Sequence, residues 1–192
     1  MRLAAPRIVP LETDQMDADQ AEILAPMTSD GRRALNIFRT LVRAPKAAKA
    51  FLAWGNYVLS RRNDLPARAR EIVILRTGFL CKSGYEWTQH VAIALREGVT
   101  ADEIPRIKRG ADAGWSAADA ALLRASDELH TDQFVSTATW AALKTHFSDK
   151  QCMDVVFTVG QYTQVSMMLN SFGVQLDPGQ SLDPDLDKIA RS

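Results

Sequence analysis

Apolar positions in this chain recur mainly three and four residues apart, and turn residues divide the recurrences into blocks. No run keeps the sustained alternation of a half-buried strand, so the pattern predicts an all-α protein. In "RRALNIFRTLVRA", Leu35, Ile37, Phe38 and Leu41 gather on one side of a helix. Pro45, suited to a first helical position, opens a second, "KAAKAFLAWGNYVLSRR". Asp64 and Pro66 begin a third, "ARAREIVILRTGFLC", whose apolar run from Ile72 to Leu75 is too continuous for a surface helix and belongs at the centre of the fold. In isolation the run reads equally as a strand. The flanking "ARAR" and the lack of a turn residue before Gly78 favour a helix by length.

Beyond Ser83 and Gly84, "YEWTQHVAIALREG" reads as a helix ending at Gly98, with Arg96 in its last turn and the glycine suited to a left-handed position. Thr100 with Glu103, Ser116 with Asp119, and Ser148 with Gln151 repeat a capping hydroxyl followed by an acid or amide, so three more helices start there. The last runs from about Asp149 to Phe172, carries Val155, Val156, Val159, Met167 and Leu169, and stops at Gly173. The organisation is an irregular arm over 1–30, a helical domain over 31–175 and a polar, proline-broken tail over 176–192 that either packs on a neighbour or stays mobile.

At 192 residues and 46% hydrophobic composition the chain has enough apolar material for one sizeable core. Lys plus Arg and Asp plus Glu both number 23, which gives no reason to expect nucleic acid or an acidic membrane surface as partner. Prolines and charges interrupt the N-terminus where a signal peptide needs an apolar core, and no window reaches the length of a membrane span, so a soluble, cytoplasmic protein is expected. Cys81 and Cys152 are too few for a disulfide scaffold and lie outside any CxxC or zinc spacing.

The stretch "GFLCKSGYEWTQH" concentrates the chemistry. On a helix Glu86 and His90 are four residues apart and Ser83 lies one turn before Glu86, so the three share a side. Trp87, Val91 and Ala94 form the adjoining apolar stripe, which sets the polar group at the border of the core. Glu71 adds a second carboxylate within the most apolar helix, and His90 is a plausible partner for it. Two carboxylates and an imidazole at an apolar boundary make an acid-base kit, because neighbours and burial move their pKa values toward neutrality. The plainer alternative is an ordinary helix-face hydrogen bond between Glu86 and His90, with Glu71 paired to Arg68 or Arg70. A metal site is disfavoured, since Glu86 and His90 alone, without HExxH or a repeated ExxH, supply too few ligands.

From about Asn36 to Asp177 the sequence resembles the carboxymuconolactone decarboxylase family, which also contains alkylhydroperoxidase D and peroxidase-related proteins. The resemblance rests on "LPARAREIVILR" leading into "GYEWTQHVAIALREGVTADEI", then on "WSAADAALLRASDELH" and "FSDKQCMDVVFTVGQYTQVSMMLNSFGVQLD". In the peroxidase branch a CxxC pair precedes a histidine, with a glutamate nineteen positions before that histidine; here the glutamate falls on Glu71 and the histidine on His90, but the cysteine positions hold Ser83 and Glu86. Dithiol peroxidase chemistry needs one cysteine to attack and another to resolve, so this departure points to the thiol-free decarboxylase branch.

The resemblance implies an alkylhydroperoxidase D-like helical fold whose central helix hairpin carries the site. It also implies assembly as a homo-oligomer, trimer or hexamer, a small-molecule substrate, and neither cofactor nor metal. The implied roles are proton transfer by His90 and Glu86, orientation or relay by Glu71, and substrate or oxyanion hydrogen bonds from Ser83, Tyr85 and Tyr162, with Trp87 as a wall and Asn170 as a further contact. The expected reaction is decarboxylation or a proton shift on a small lactone or unsaturated carboxylic acid. The alternatives are a peroxidase-related protein using Cys81 as a lone thiol and an oligomer that binds a small molecule without turning it over. Trp54, Trp115 and Trp140 read as core or interface aromatics, and His130 and His146 as structural.

Overall fold

A computed structural model describes residues 3–29 and 31–187. Among these residues the chain is helical throughout: α1 Ala18–Thr28, α2 Asn36–Leu41, α3 Pro45–Leu59, α4 Ala67–Leu80, α5 Gly84–Arg96, α6 Glu103–Arg109, α7 Ala117–Thr131, α8 Thr137–Lys144 and α9 Asp149–Phe172. No described helix is long and apolar enough to cross a membrane.

The centre is α4, packed against α5, α7 and α9. Each of its faces meets a different neighbour, which is why its sequence shows a continuous apolar run instead of a stripe. Ile72 and Leu75 join Trp87 of α5, Ile107 of α6 and Leu123 of α7. Ala69 and Val73 join Leu122 and Ala125 of α7 with Val155 and Val159 of α9. Ile74 packs with Val58 of α3 and Tyr162 of α9. Burying the four side chains from Ile72 to Leu75 supplies about 6–12 kcal/mol of transfer free energy before the entropy of ordering is subtracted.

Helix ends follow local chemistry. The Ser116 side chain accepts from Asp119 N and the Ser148 side chain from Gln151 N, the latter in a reciprocal capping box. Gly173, at φ 70°, closes α9, and a Cβ there would lie 2.9 Å from the Ala5 carbonyl oxygen, so the N-terminal arm also needs this glycine.

The structure differs from the sequence reading in several places. The N-terminal arm contains α1, capped by a box between Asp17 and Gln20. Thr100 and Glu103 form a turn ahead of α6, which starts at Glu103 with Asp102 as its N-cap. Helix α8 is additional; its cap, Ser136, has Thr139 and no acid or amide at the third position. Leu35 and Met167, placed on buried faces by the pattern, are 36% and 58% exposed. The tail folds back on its own chain: Leu186 enters the core beside Trp87, and Lys108 of α6 holds Asp183 and Asp185.

Candidate active site

The hairpin of α4 and α5 sets three ionisable side chains side by side, and α9 closes over them. Glu71 sits on α4, two turns before Gly78, in a run that is buried from Glu71 to Gly78. Glu86 and His90 lie one turn apart on the inner face of α5. His90 Nδ1 is 2.7 Å from Glu71 Oε2, and His90 Nε2 is 3.2 Å from the Tyr162 hydroxyl and 3.0 Å from Glu86 Oε1. All four residues are at least nine-tenths buried.

Burial works against charge on His90. The charge of Glu86, the hydrogen bond to Glu71 and the charge of Glu71 outweigh it, pushing the imidazole up to about 10. The ring is therefore an imidazolium at neutral pH, with Nδ1–H donating to Glu71. Burial, reinforced by the charges of Glu86 and Glu71 and only partly opposed by Arg70, raises Tyr162 well above an ordinary phenol. Tyr162 is thus a neutral O–H donor.

Glu86 is the exception to this satisfaction. Its Oε1 is buried, and although it lies within 3.0 Å of His90 Nε2 it accepts no aligned hydrogen bond from the protein. A carboxylate oxygen held without a donor in a buried site is costly, and it is free to accept a proton.

Glu86, His90 and Tyr162 line one cavity of about 210 Å³. Its remaining walls come from α1, α2, α3, α5 and α9, with Met27, Ile37, Phe38, Phe51, Ile93 and Val165 among the apolar surfaces and Asn56, Gln89 and Gln161 as neutral polar ones. Glu71 stands behind His90 and is absent from the lining.

The remaining sequence candidates fall in different places. Tyr85 lines this cavity, but its hydroxyl is committed to Asp177 Oδ2 at 2.6 Å; burial and that carboxylate raise its pKa. Ser83 is fully buried, with no hydrogen bond to its hydroxyl, and does not line the cavity. Trp87 is not a wall: one position round the helix from Glu86, it points into the core with Ile72 and Leu75 and meets the Phe79 ring at a tilt of 57°. Asn170 donates to the Cys81 carbonyl at 2.9 Å and borders a separate cavity of about 360 Å³ beneath the tail. Cys81, at the end of α4, lies 3.7 Å from His130 Nδ1 and lines neither cavity; burial raises its pKa.

Sequence reasoning missed Gln161, buried with its Oε1 unpartnered and facing the cavity beside Tyr162. An amide inside the apolar stretch of α9 was the available signal. It also missed the walls from α2 and α3, because nothing in their periodicity says which cavity their apolar faces enclose.

A model of the carboxymuconolactone decarboxylase family matches residues 45–127, the segment that carries Glu71, Glu86 and His90 and leaves Tyr162 outside. No curated protein sequence matches the chain. Among solved structures, an uncharacterised peroxidase-related protein with an alkylhydroperoxidase AhpD core from Ralstonia eutropha JMP134 superimposes with a TM-score of 0.79 at 19% identity, covering 90% of this chain and 93% of that one. A putative antioxidant defence protein AhpD from Agrobacterium tumefaciens gives 0.66 at 20% identity, covering 71% and 94%. The debrominase Bmp8, in a cysteine-to-alanine variant bound to 2,3,4-tribromopyrrole, gives 0.74 at 15% identity, covering 92% and 94%. The match over residues 45–127 and the shared alkylhydroperoxidase D-like fold make this chain similar to the carboxymuconolactone decarboxylase family over its central segment, with Ser83 and Glu86 at the positions of the CxxC pair.

Proposed function

We propose that this protein is an acid-base enzyme that forms an enolate of a small carbonyl compound and moves a proton on its carbon skeleton. The observation that carries the reading is Glu86 Oε1, a buried carboxylate oxygen on the cavity wall with no hydrogen bond from the protein, beside an imidazolium and a neutral phenol.

In the simplest step Glu86 Oε1 takes a proton from the carbon next to the carbonyl. The C–H electrons form a carbon–carbon double bond, and the carbonyl π electrons move onto oxygen. With both ring nitrogens protonated, His90 Nε2–H donates to Tyr162 oxygen, which leaves the Tyr162 O–H free to donate to the enolate oxygen among buried side chains. The protonated Glu86 then returns the proton to a different carbon of the conjugated system, completing an isomerisation. Decarboxylation of a lactone acid would use the same enolate, with loss of CO₂ in place of the first proton. Glu71 holds the imidazolium in orientation and is a positioning residue. Replacing Glu86 by Gln keeps the shape and removes the base. Turnover of unsaturated lactones and ketones should fall roughly 10²- to 10⁴-fold, the usual scale for a general base, and an unchanged rate would rule out Glu86.

A second reading is thiol chemistry at Cys81, favoured by its contact with His130. The raised thiol pKa and the distance of Cys81 from the cavity lining weigh against it. Loss of titratable Cys81 on addition of organic peroxide would restore it. Assembly into a trimer or hexamer belongs to the proposal as well. It is supported by the exposed Met153 and Met167 on α9 and Trp54 on α3, and sedimentation velocity would test it.

A further inference from the structure

The walls of the acid-base cavity restrict its occupant more than its catalytic groups do. We infer that the substrate is an uncharged, ring-sized unsaturated lactone, lactam or cyclic ketone that carries no carboxylate. This rests on the acid-base reading above and selects within it, favouring a proton shift over decarboxylation.

Three observations carry it. First, among the described residues no Lys or Arg lines the cavity. Arg70, the guanidinium whose charge reaches Tyr162, lines a different cavity that shares only Leu59 with this one. Arg68 is occupied by Asp119 and Glu103. A substrate carboxylate would enter without a counter-charge, and an unpaired buried charge costs several kcal/mol.

Second, the cluster already has two acids around one imidazole, so with both acids ionised it carries one excess negative charge. A second anion would sit against Glu86 and lose affinity by like-charge repulsion. Third, the mouth is apolar: Leu35 and Leu59 are 36% and 45% exposed at its edge, and Ile37, Phe38 and Phe51 continue the surface inward. Apolar walls with few polar groups hold neutral rings. The polar groups match such a ring. Tyr162 offers an O–H to a carbonyl, and the unpartnered Gln161 Oε1 accepts from an N–H or hydroxyl. A volume of about 210 Å³ suits one five- or six-membered ring with small substituents.

Matched pairs test the charge rule directly. α-Angelica lactone is compared with the same unsaturated five-membered ring bearing a carboxymethyl group, and cyclohex-3-en-1-one with cyclohex-3-ene-1-carboxylate. Binding is measured at pH 7 by NMR titration, and conversion by the ultraviolet absorbance of the conjugated product. The neutral member of each pair is expected to bind about tenfold or more tightly than its carboxylate partner. Equal or tighter binding of the carboxylates, or binding of neither member, would overturn the inference. If the neutral rings bind with that preference but convert no faster with the native protein than with Glu86→Gln, the substrate class stands and the acid-base reading fails.

Discussion

At His90 the demands of stability and of the proposed chemistry meet in one side chain. Its imidazolium lies between Glu71 and Glu86, so removing it leaves two buried acids without their cation. His90→Gln should therefore cost about 3–5 kcal/mol of stability as well as activity, in the range seen when one partner of a buried pair is deleted. Urea denaturation reads that loss. The double variant His90→Gln with Glu71→Gln removes an acid together with the cation and should recover part of the stability but none of the activity, which separates the two roles. Tyr162→Phe removes the O–H that the enolate oxygen would receive together with the acceptor of His90 Nε2–H. It should lower kcat by roughly 10²-fold, as for loss of one oxyanion donor, and cost about 1–3 kcal/mol of stability for the stranded imidazolium donor; an unaltered kcat would place the oxyanion elsewhere. At this scale the sequence was informative. The i,i+4 spacing of Glu86 and His90 put those two on one face and the odd position of Glu71 in an apolar run made it a candidate third member, with Arg68 or Arg70 as its alternative partner, whereas the orientation of Trp87 depended on a helix rotation that residue types do not reveal.

At the scale of elements, the hairpin α4–α5 is held in place by ties that lie far away in sequence. Asp177, in the segment after α9, accepts from Tyr85 OH at 2.6 Å, from Gln89 Nε2 at 2.9 Å and from Asn36 N at 2.9 Å, so one carboxylate joins α2, α5 and the tail. Asp177→Ala strands three donors and should cost about 2–4 kcal/mol, measured by urea denaturation, while also freeing the Tyr85 hydroxyl at the cavity wall. A stability within experimental error of the native protein would show that the tail does not brace the site. The helices with strong caps or a proline start were legible in sequence, including α3, α7 and α9. Helix α8 and the return of the tail were not. Ser136 caps through Thr139 and its own hydroxyl network with Glu128, a pattern without a local acid or amide signal. The tail's anchors, Asp177 and Leu186, look like any polar and apolar residue until their partners on α5 are known.

For the molecule as a whole, the buried cluster predicts a pH dependence with a definite sign. His90 moves from an ordinary value of 6.5 to about 10 in the fold, so its contribution is complete below pH 6.5 and is lost as pH rises through about 10. Unfolding free energy should fall by roughly 1.4 kcal/mol per pH unit between about 7 and 9 from this group. The two thiols and the two buried tyrosines, also raised, start from 9.0 and 10.0 and act only at higher pH. The slope should flatten in the double variant lacking His90 and Glu71. The all-helical architecture and central α4 were readable because burial on every face leaves an unbroken apolar run; the cavity was not, because it is shared among α1, α2, α3, α5 and α9, and its volume is a property of their packing. The central claim, that Glu86 removes a carbon-bound proton inside this cavity, is tested most directly by deuterium exchange. A neutral β,γ-unsaturated lactone is incubated in D₂O with the native protein and with Glu86→Gln, and loss of its carbon-bound proton signals is followed by NMR. Exchange well above background with the native protein and at background with Glu86→Gln is the predicted result. Equal exchange with both proteins, or none with either, would contradict it.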